Sequence, residues 1–302
     1  MSKQNLSFLL AFIASLIYGV SFSVAKDVMP LYIKPFGFIL FRVGGATLLF
    51  WLIGFSIPKE KIIPKDFIRI FLTAFFGIAL NMLTFFKGLS LTTPINASVI
   101  MVTSPIIVLV FSFLFLKEPI TWKKAFGVLI GLLGAVLIII YSPTAVTNAP
   151  NIKWGNLLVF INAVSFSFYI ILAKPLLKQY HPFTFIKWMY LIGTIMVLPF
   201  GIHEVLEMPI QNMPIIAFYK IGFIVVFTTF ITYLFNLIAL KSLKPTTLSV
   251  FLYLQPLLAS IYAISVGSDT LTSLKIVAAS LIFIGVYLVG SKNKKQLKVD
   301  KA

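Results

Sequence analysis

The feature that most constrains this chain is an apolar stretch of 17 or more residues that recurs along its whole length. Leu6 to Ala25 is the first example. Each stretch is long enough to cross a hydrocarbon core of roughly 30 Å. No water reaches that core, so a spanning backbone must satisfy its own N–H and C=O groups, as only helices and closed barrels do. Barrel strands would alternate with period two, whereas these stretches are apolar all round. The chain is therefore read as helical. Only 11% of its residues are charged and 60% are hydrophobic, where a soluble domain keeps about a quarter charged. Lipid must serve as the solvent for most of the surface.

Breaks at Pro, Gly, Asn and charge clusters divide the chain into ten segments. They run near 6–26, 35–57, 67–87, 95–116, 125–141, 155–174, 183–202, 214–240, 246–266 and 272–291. The predicted architecture is all-α and integral to a membrane, with ten transmembrane helices. Residues 1–141 form a first five-helix repeat, 142–154 a linker, 155–291 a second repeat and 292–302 a basic tail. The first segment is too long for the apolar region of a signal peptide and is expected to span. Lys and Arg set the orientation. With the N-terminus in the cytoplasm, eighteen of them fall inside and six outside, with Arg42 within a helix. Both termini are therefore expected on the cytoplasmic side of the cell (inner or plasma) membrane. The net charge of +17 reflects this sidedness and the tail. The competing reading of the tail, a nucleic-acid or anionic-lipid site, is the less economical one, and no nucleic-acid partner is expected.

The sequence also resembles itself at an offset of about 151 residues. Pro94, Ser98, Val99 and Pro105 match Pro245, Ser249, Val250 and Pro256, and Glu118, Thr121, Lys124 and Gly134 are followed by Asp269, Thr272, Lys275 and Gly285. Ala25-Lys26 corresponds to Ala173-Lys174 at a slightly smaller offset. Five helices per copy is an odd number, so the second copy enters the membrane from the opposite side. Inverted repeats of this kind build transporters, because two halves of opposite topology can exchange roles around a midplane site. Duplication in a non-transporting receptor or scaffold is the alternative.

Several motifs together resemble the EamA branch of the drug/metabolite transporter superfamily. They are Tyr18-Gly19-x-x-Phe22-x-x-x-Lys26, Arg42 in helix two, Pro94-x-x-x-Ser98 with Pro105, and Lys117-Glu118-Pro119-Ile120-Thr121 before Gly127 and Gly134. The second half repeats the pattern through Pro245, Ser249, Pro256, Asp269, Thr272 and Gly285. Tyr18 stands where the family commonly has Trp, and Asp269 where it usually has Glu. The resemblance implies two inverted five-helix repeats with a central cavity lined by helices 1, 3, 4, 6, 8 and 9. Family members move amino acids, other metabolites or drugs, often outward.

Polar residues at helical spacing mark candidate faces on those helices. Tyr18, Ser21 and Phe22 share one face of helix one; Asn81 and Phe85 lie on helix three. Helix six carries Asn162, Ser165, Phe166 and Tyr169, helix eight Thr229, Thr232, Tyr233 and Asn236, and helix nine Tyr253 and Gln255. Either these groups orient a substrate or they join helices, each bond then contributing about 0.6 kcal/mol. Arg42 lies near the start of helix two, where it can snorkel to the outer surface. Alternatively it guards the outer mouth with Lys26 and attracts carboxylates. Pro105 and Pro256 each remove a hydrogen bond and kink their helices, as a hinge or a fixed bend. Gly127, Gly131 and Gly134 have the small-residue spacing of close helix packing.

Chemistry is otherwise sparse. The chain has no Cys, hence no thiolate nucleophile or disulfide, and no GxxxxGK[ST], HExxH or GxSxG motif. His181 and His203 are placed in separate loops. No enzyme activity, metal or cofactor is expected. No acidic residue falls at mid-depth in a helix, which argues against a simple proton relay. The expected function is a secondary transporter for a small neutral or zwitterionic metabolite such as an amino acid, working outward by alternating access. A cationic multidrug exporter is the runner-up. Membrane lipids are the other partner, and a monomer is compatible with the pattern.

Overall fold

A computed structural model describes residues 2–26, 28–29, 31–54, 60–92, 94–141, 150–265 and 271–290, apart from the side chains of residues 22, 23, 26, 94–96 and 263. Among the described residues every regular element is helical. In chain order these are α1 (Lys3–Lys26), α2 (Pro35–Gly54), α3 (Asp66–Leu91), α4 (Pro94–Met101 with Ser104–Leu116), α5 (Trp122–Ile140), α6 (Ile152–Gln179) and α7 (Pro182–Leu206). They continue with α8 (Ile215–Ser242), α9 (Pro245–Val250, a 3-10 turn at Phe251–Tyr253, then Leu254–Ser265) and α10 (Ser273–Gly290). Nine helices among the described residues are long and apolar enough to cross a membrane. The interrupted α9 is not among them.

Local chemistry sets the ends. Asn151 Oδ1 accepts from Trp154 N–H at 3.2 Å, so α6 starts inside the expected linker, at Ile152. His181 caps α7 by accepting from Phe183 N–H at 3.3 Å, with Pro182 as the first helical residue; an N–H lost there had no partner anyway. α6 runs on through Pro175 to Gln179, past the expected end at 174, since one missing N–H near the end of a packed membrane helix is tolerable. α7 runs to Leu206, four residues beyond the expected 202. His203 thereby lies within α7 rather than in a loop. At the end of α4, Lys117 takes a left-handed conformation, φ 55°. This turn lets Glu118 N–H donate to Ser112 O at 3.1 Å and close the helix.

Helix packing follows a pattern. α5 packs on α10, α2 on α7 and α4 on α9; α3 packs on α6 and α1 on α8; α4 also meets α6 and α1 meets α9. Replacing each helix by the one five along maps this set onto itself. The irregular turns obey the same rule. π-helical turns interrupt α3 at Phe75–Ala79 and α8 at Ile224–Ile231. α4 breaks at residues 102–103 and α9 at Phe251–Tyr253, just ahead of Pro105 and Pro256.

The α5–α10 seam brings two backbones into close contact. A Cβ at Gly285 would lie 2.6 Å from Gly127 O, and one at Gly134 would lie 2.6 Å from Ala278 O. Only glycine lets these backbones approach so closely. Around the outside, Phe113, Leu114, Phe126, Leu133, Ile195 and Tyr287 stay exposed, an apolar girdle suited to acyl chains.

Candidate functional site

A cavity of ≈ 200 Å³ lies between the two sets of helices. Its walls come from α1, α3, α4, α6, α8 and α9, and from Arg42 on α2. Ten of the residues singled out by helical spacing line it: Tyr18, Ser21, Asn81, Phe85, Asn162, Phe166, Tyr169, Tyr233, Asn236 and Gln255. The side chains of Phe22 and Lys26 lie outside the described residues, as do Asp27, Asp269 and the tail 292–302.

Tyr253 points elsewhere. It is fully buried, and its ring fills the space a Cβ would need at Gly131 on α5. The expected face assumed 100° per residue, but Tyr253 sits in a 3-10 turn, which advances about 120°. Pro105 and Pro256 do not line the cavity either; each follows a break, and Met101 beside the first and Leu252 within the second do line it.

Hydrogen bonding within the wall is specific. Asn162 Nδ2 donates to Asn81 O at 2.8 Å, and Asn81 Nδ2 to Asn162 O at 3.4 Å. The two amides thus tie α3 to α6, while Asn162 Oδ1 is buried without a bond. Ser21 Oγ meets Thr228 Oγ1 at 2.6 Å, joining α1 to α8. The Tyr18 hydroxyl lies beside the side chains of Thr232 and Asn236. Aromatic rings continue the wall: Phe166 to Tyr169 at 6.1 Å, Tyr169 to Tyr233 at 6.4 Å and Tyr233 to Tyr190 at 5.4 Å.

Arg42 overturns the expectation that it snorkels outward. Its guanidinium lines the cavity. Nε donates to Thr229 Oγ1 at 3.1 Å, and the rings of Phe38 and Phe86 lie 5.9 Å and 5.8 Å from Cζ. Thr229 itself had been expected to face the cavity beside Tyr233. The π-turn carries one extra residue per hydrogen-bonded ring, so Thr228 takes the lining position and Thr229 Oγ1 donates to Ile224 O at 2.8 Å.

A second polar cluster lies at the C-terminal end of α8. Lys174 Nζ donates to Leu240 O at 2.6 Å, Leu243 O at 2.7 Å and Lys241 O at 3.2 Å, capping the C-terminus of α8. Lys124 pairs with Glu118 nearby at 3.4 Å. Below α3, the Tyr180 hydroxyl donates to the buried Asp66 Oδ2 at 2.8 Å. Among the described residues no three His, Cys, Asp or Glu side chains gather as metal ligands would.

The family profile of EamA-like transporters matches residues 5–140 and again 153–291. The chain belongs to the EamA-like transporter family. It is therefore a multi-pass membrane protein of the drug/metabolite transporter superfamily. An uncharacterized transporter of Archaeoglobus fulgidus is 27% identical over 91% of this chain and 95% of its own length. The uncharacterized transporter YyaM of Bacillus subtilis is 25% identical, covering 90% and 89%. An S-adenosylmethionine/S-adenosylhomocysteine transporter of Chlamydia muridarum is 24% identical, covering 97% and 94%. A crystal structure at 16% identity covers 99% of this chain and all of that one with a TM-score of 0.77, a likeness of fold. The family and these relatives are transporters rather than enzymes.

Proposed function

We propose that the chain is a secondary transporter that moves a small neutral or zwitterionic metabolite, an amino acid or related compound, out across the cell membrane by alternating access. Ten crossings arranged as two inverted five-helix repeats, with both termini in the cytoplasm, would form the machine. The carrying observation is a cavity walled by helices whose main pairings are unchanged when each is exchanged for the one five along. Such an arrangement supports two mirror-related states around one site. The breaks in α4 and α9 and the π-turns in α3 and α8 put bendable backbone beside the cavity. Tyr18, Ser21, Phe22, Asn81, Phe85, Asn162, Phe166, Tyr169, Tyr233, Asn236 and Gln255 are the proposed substrate contacts. Tyr253 acts on them indirectly, through the α5 seam.

A cationic multidrug exporter fits less well, because Arg42 would repel its cargo. The test is counterflow in liposomes. Protein-loaded vesicles preloaded with an unlabelled amino acid mixture should accumulate labelled amino acid well above empty vesicles. Accumulation of cationic dyes with no amino acid flux would replace this reading with the exporter.

A further inference from the structure

Resting on the transporter reading, we infer that the cavity recognises its substrate through a carboxylate held by Arg42, with an aromatic or bulky apolar body alongside. A guanidinium inside a membrane bundle is costly without a counter-charge, and Arg42 has none among the described residues. The ion pairs among the described residues are Lys34–Glu207, Arg69–Asp66 and Lys124–Glu118. Among the described residues no Asp or Glu lines the cavity.

The guanidinium is also held for use. Thr229 accepts from Nε while its own hydroxyl proton goes to Ile224 O, so this acceptor cannot rotate away. Phe38 and Phe86 flank the plane, which restrains the group without using its N–H donors. That leaves the two terminal nitrogens, the edge that binds a carboxylate with two parallel hydrogen bonds. Part of the remaining wall is soft and aromatic: Met82, Phe85, Phe86 and Phe166. It offers area for an apolar body and no carboxylate for a second cation.

The probes are L-phenylalanine, 3-phenylpropionate and L-phenylalaninamide, tested by thermal shift on the purified full-length protein in detergent. The first two keep the carboxylate; the last replaces it with an amide. Both acids should raise the melting temperature, with the amide binding at least about tenfold more weakly, since hydrogen bonds to charged groups contribute that much. Arg42→Gln should erase the preference for acid over amide, and Arg42→Lys, with its point charge, should retain part of it. The amide comparison needs no variant, so a misfolded Arg42→Gln protein would not spare the inference. Equal shifts from acid and amide, an Arg42→Gln protein that still prefers the acid, or no shift from any probe would each overturn it. Counterflow separates the two levels. Transport of the amide but not the acids would refute the Arg42 anchor and leave the transporter standing; absence of flux for any small solute would refute both.

Discussion

Substituting Gly285 by alanine tests whether the α5–α10 seam is as tight as the backbone geometry requires. A Cβ there would lie 2.6 Å from Gly127 O, 2.7 Å from Gly131 N and 2.8 Å from Gly131 Cα. All three neighbours are backbone atoms of α5, so no side-chain rotation relieves the overlap. The helices must separate by several tenths of an ångström, and every contact along the seam loosens with them. Overpacking of this kind costs about 1–3 kcal/mol, against a helix-propensity gain of up to about 1 kcal/mol for Gly→Ala. A net loss on the order of 1–2 kcal/mol is expected. Gly222→Ala is the matched control, because a Cβ at Gly222 would meet nothing within 4 Å. Only the propensity term remains there, so stability should hold or rise slightly. Unfolding in mixed micelles, followed by circular dichroism against denaturing detergent, measures both. A Gly285→Ala protein as stable as the parent, or a Gly222→Ala protein equally damaged, would refute the reasoning.

Asn81→Ala and Asn162→Ala should each weaken the α3–α6 contact by about 0.6 kcal/mol. Because they form one reciprocal pair, the double variant should lose less than the sum, as a double-mutant cycle in micelles would show. Tyr253→Phe removes a buried hydroxyl that has no hydrogen-bond partner, so melting temperature and substrate affinity should stay within error of the parent; a clear loss of affinity would restore Tyr253 to the cavity wall. Lys174→Met strips three carbonyls of a charged donor and should lower stability by about 1.5–3 kcal/mol; an unchanged melting curve would show that the cap contributes nothing.

The placement of nine spans was largely legible because membrane-spanning length is a one-dimensional property of the sequence. Breaks at residues 102–103 and Phe251–Tyr253 were foreshadowed by Pro105 and Pro256, whose missing N–H groups weaken the helix at those points. The seam glycines were legible by spacing, although their partner on α10 was not. What could not be read was local winding. A π-turn or a 3-10 turn leaves no clear mark in composition, yet it rotates every following side chain. That is why Thr228 replaces Thr229 in the wall and why Tyr253 turns to Gly131. Arg42 was misplaced for a different reason. Depth was counted from the helix start, but it is the packing of Phe38, Phe86 and Thr229 that draws the guanidinium inward. Met29, Met82 and Met101 in the wall carried no signal at all, since an apolar side chain facing a cavity looks like one facing lipid.

Alternating access is the central claim, and the absence of native cysteine makes it directly measurable. Met101 lines the cavity at the break in α4, so a single Met101→Cys substitution reports on the site without touching a proposed substrate contact. In sealed vesicles of defined orientation, a membrane-impermeant thiol reagent would be applied from one side or the other, with and without a transported amino acid. The account expects labelling from both sides, with rates shifted in opposite directions by substrate. Labelling confined to one side under every condition would contradict it.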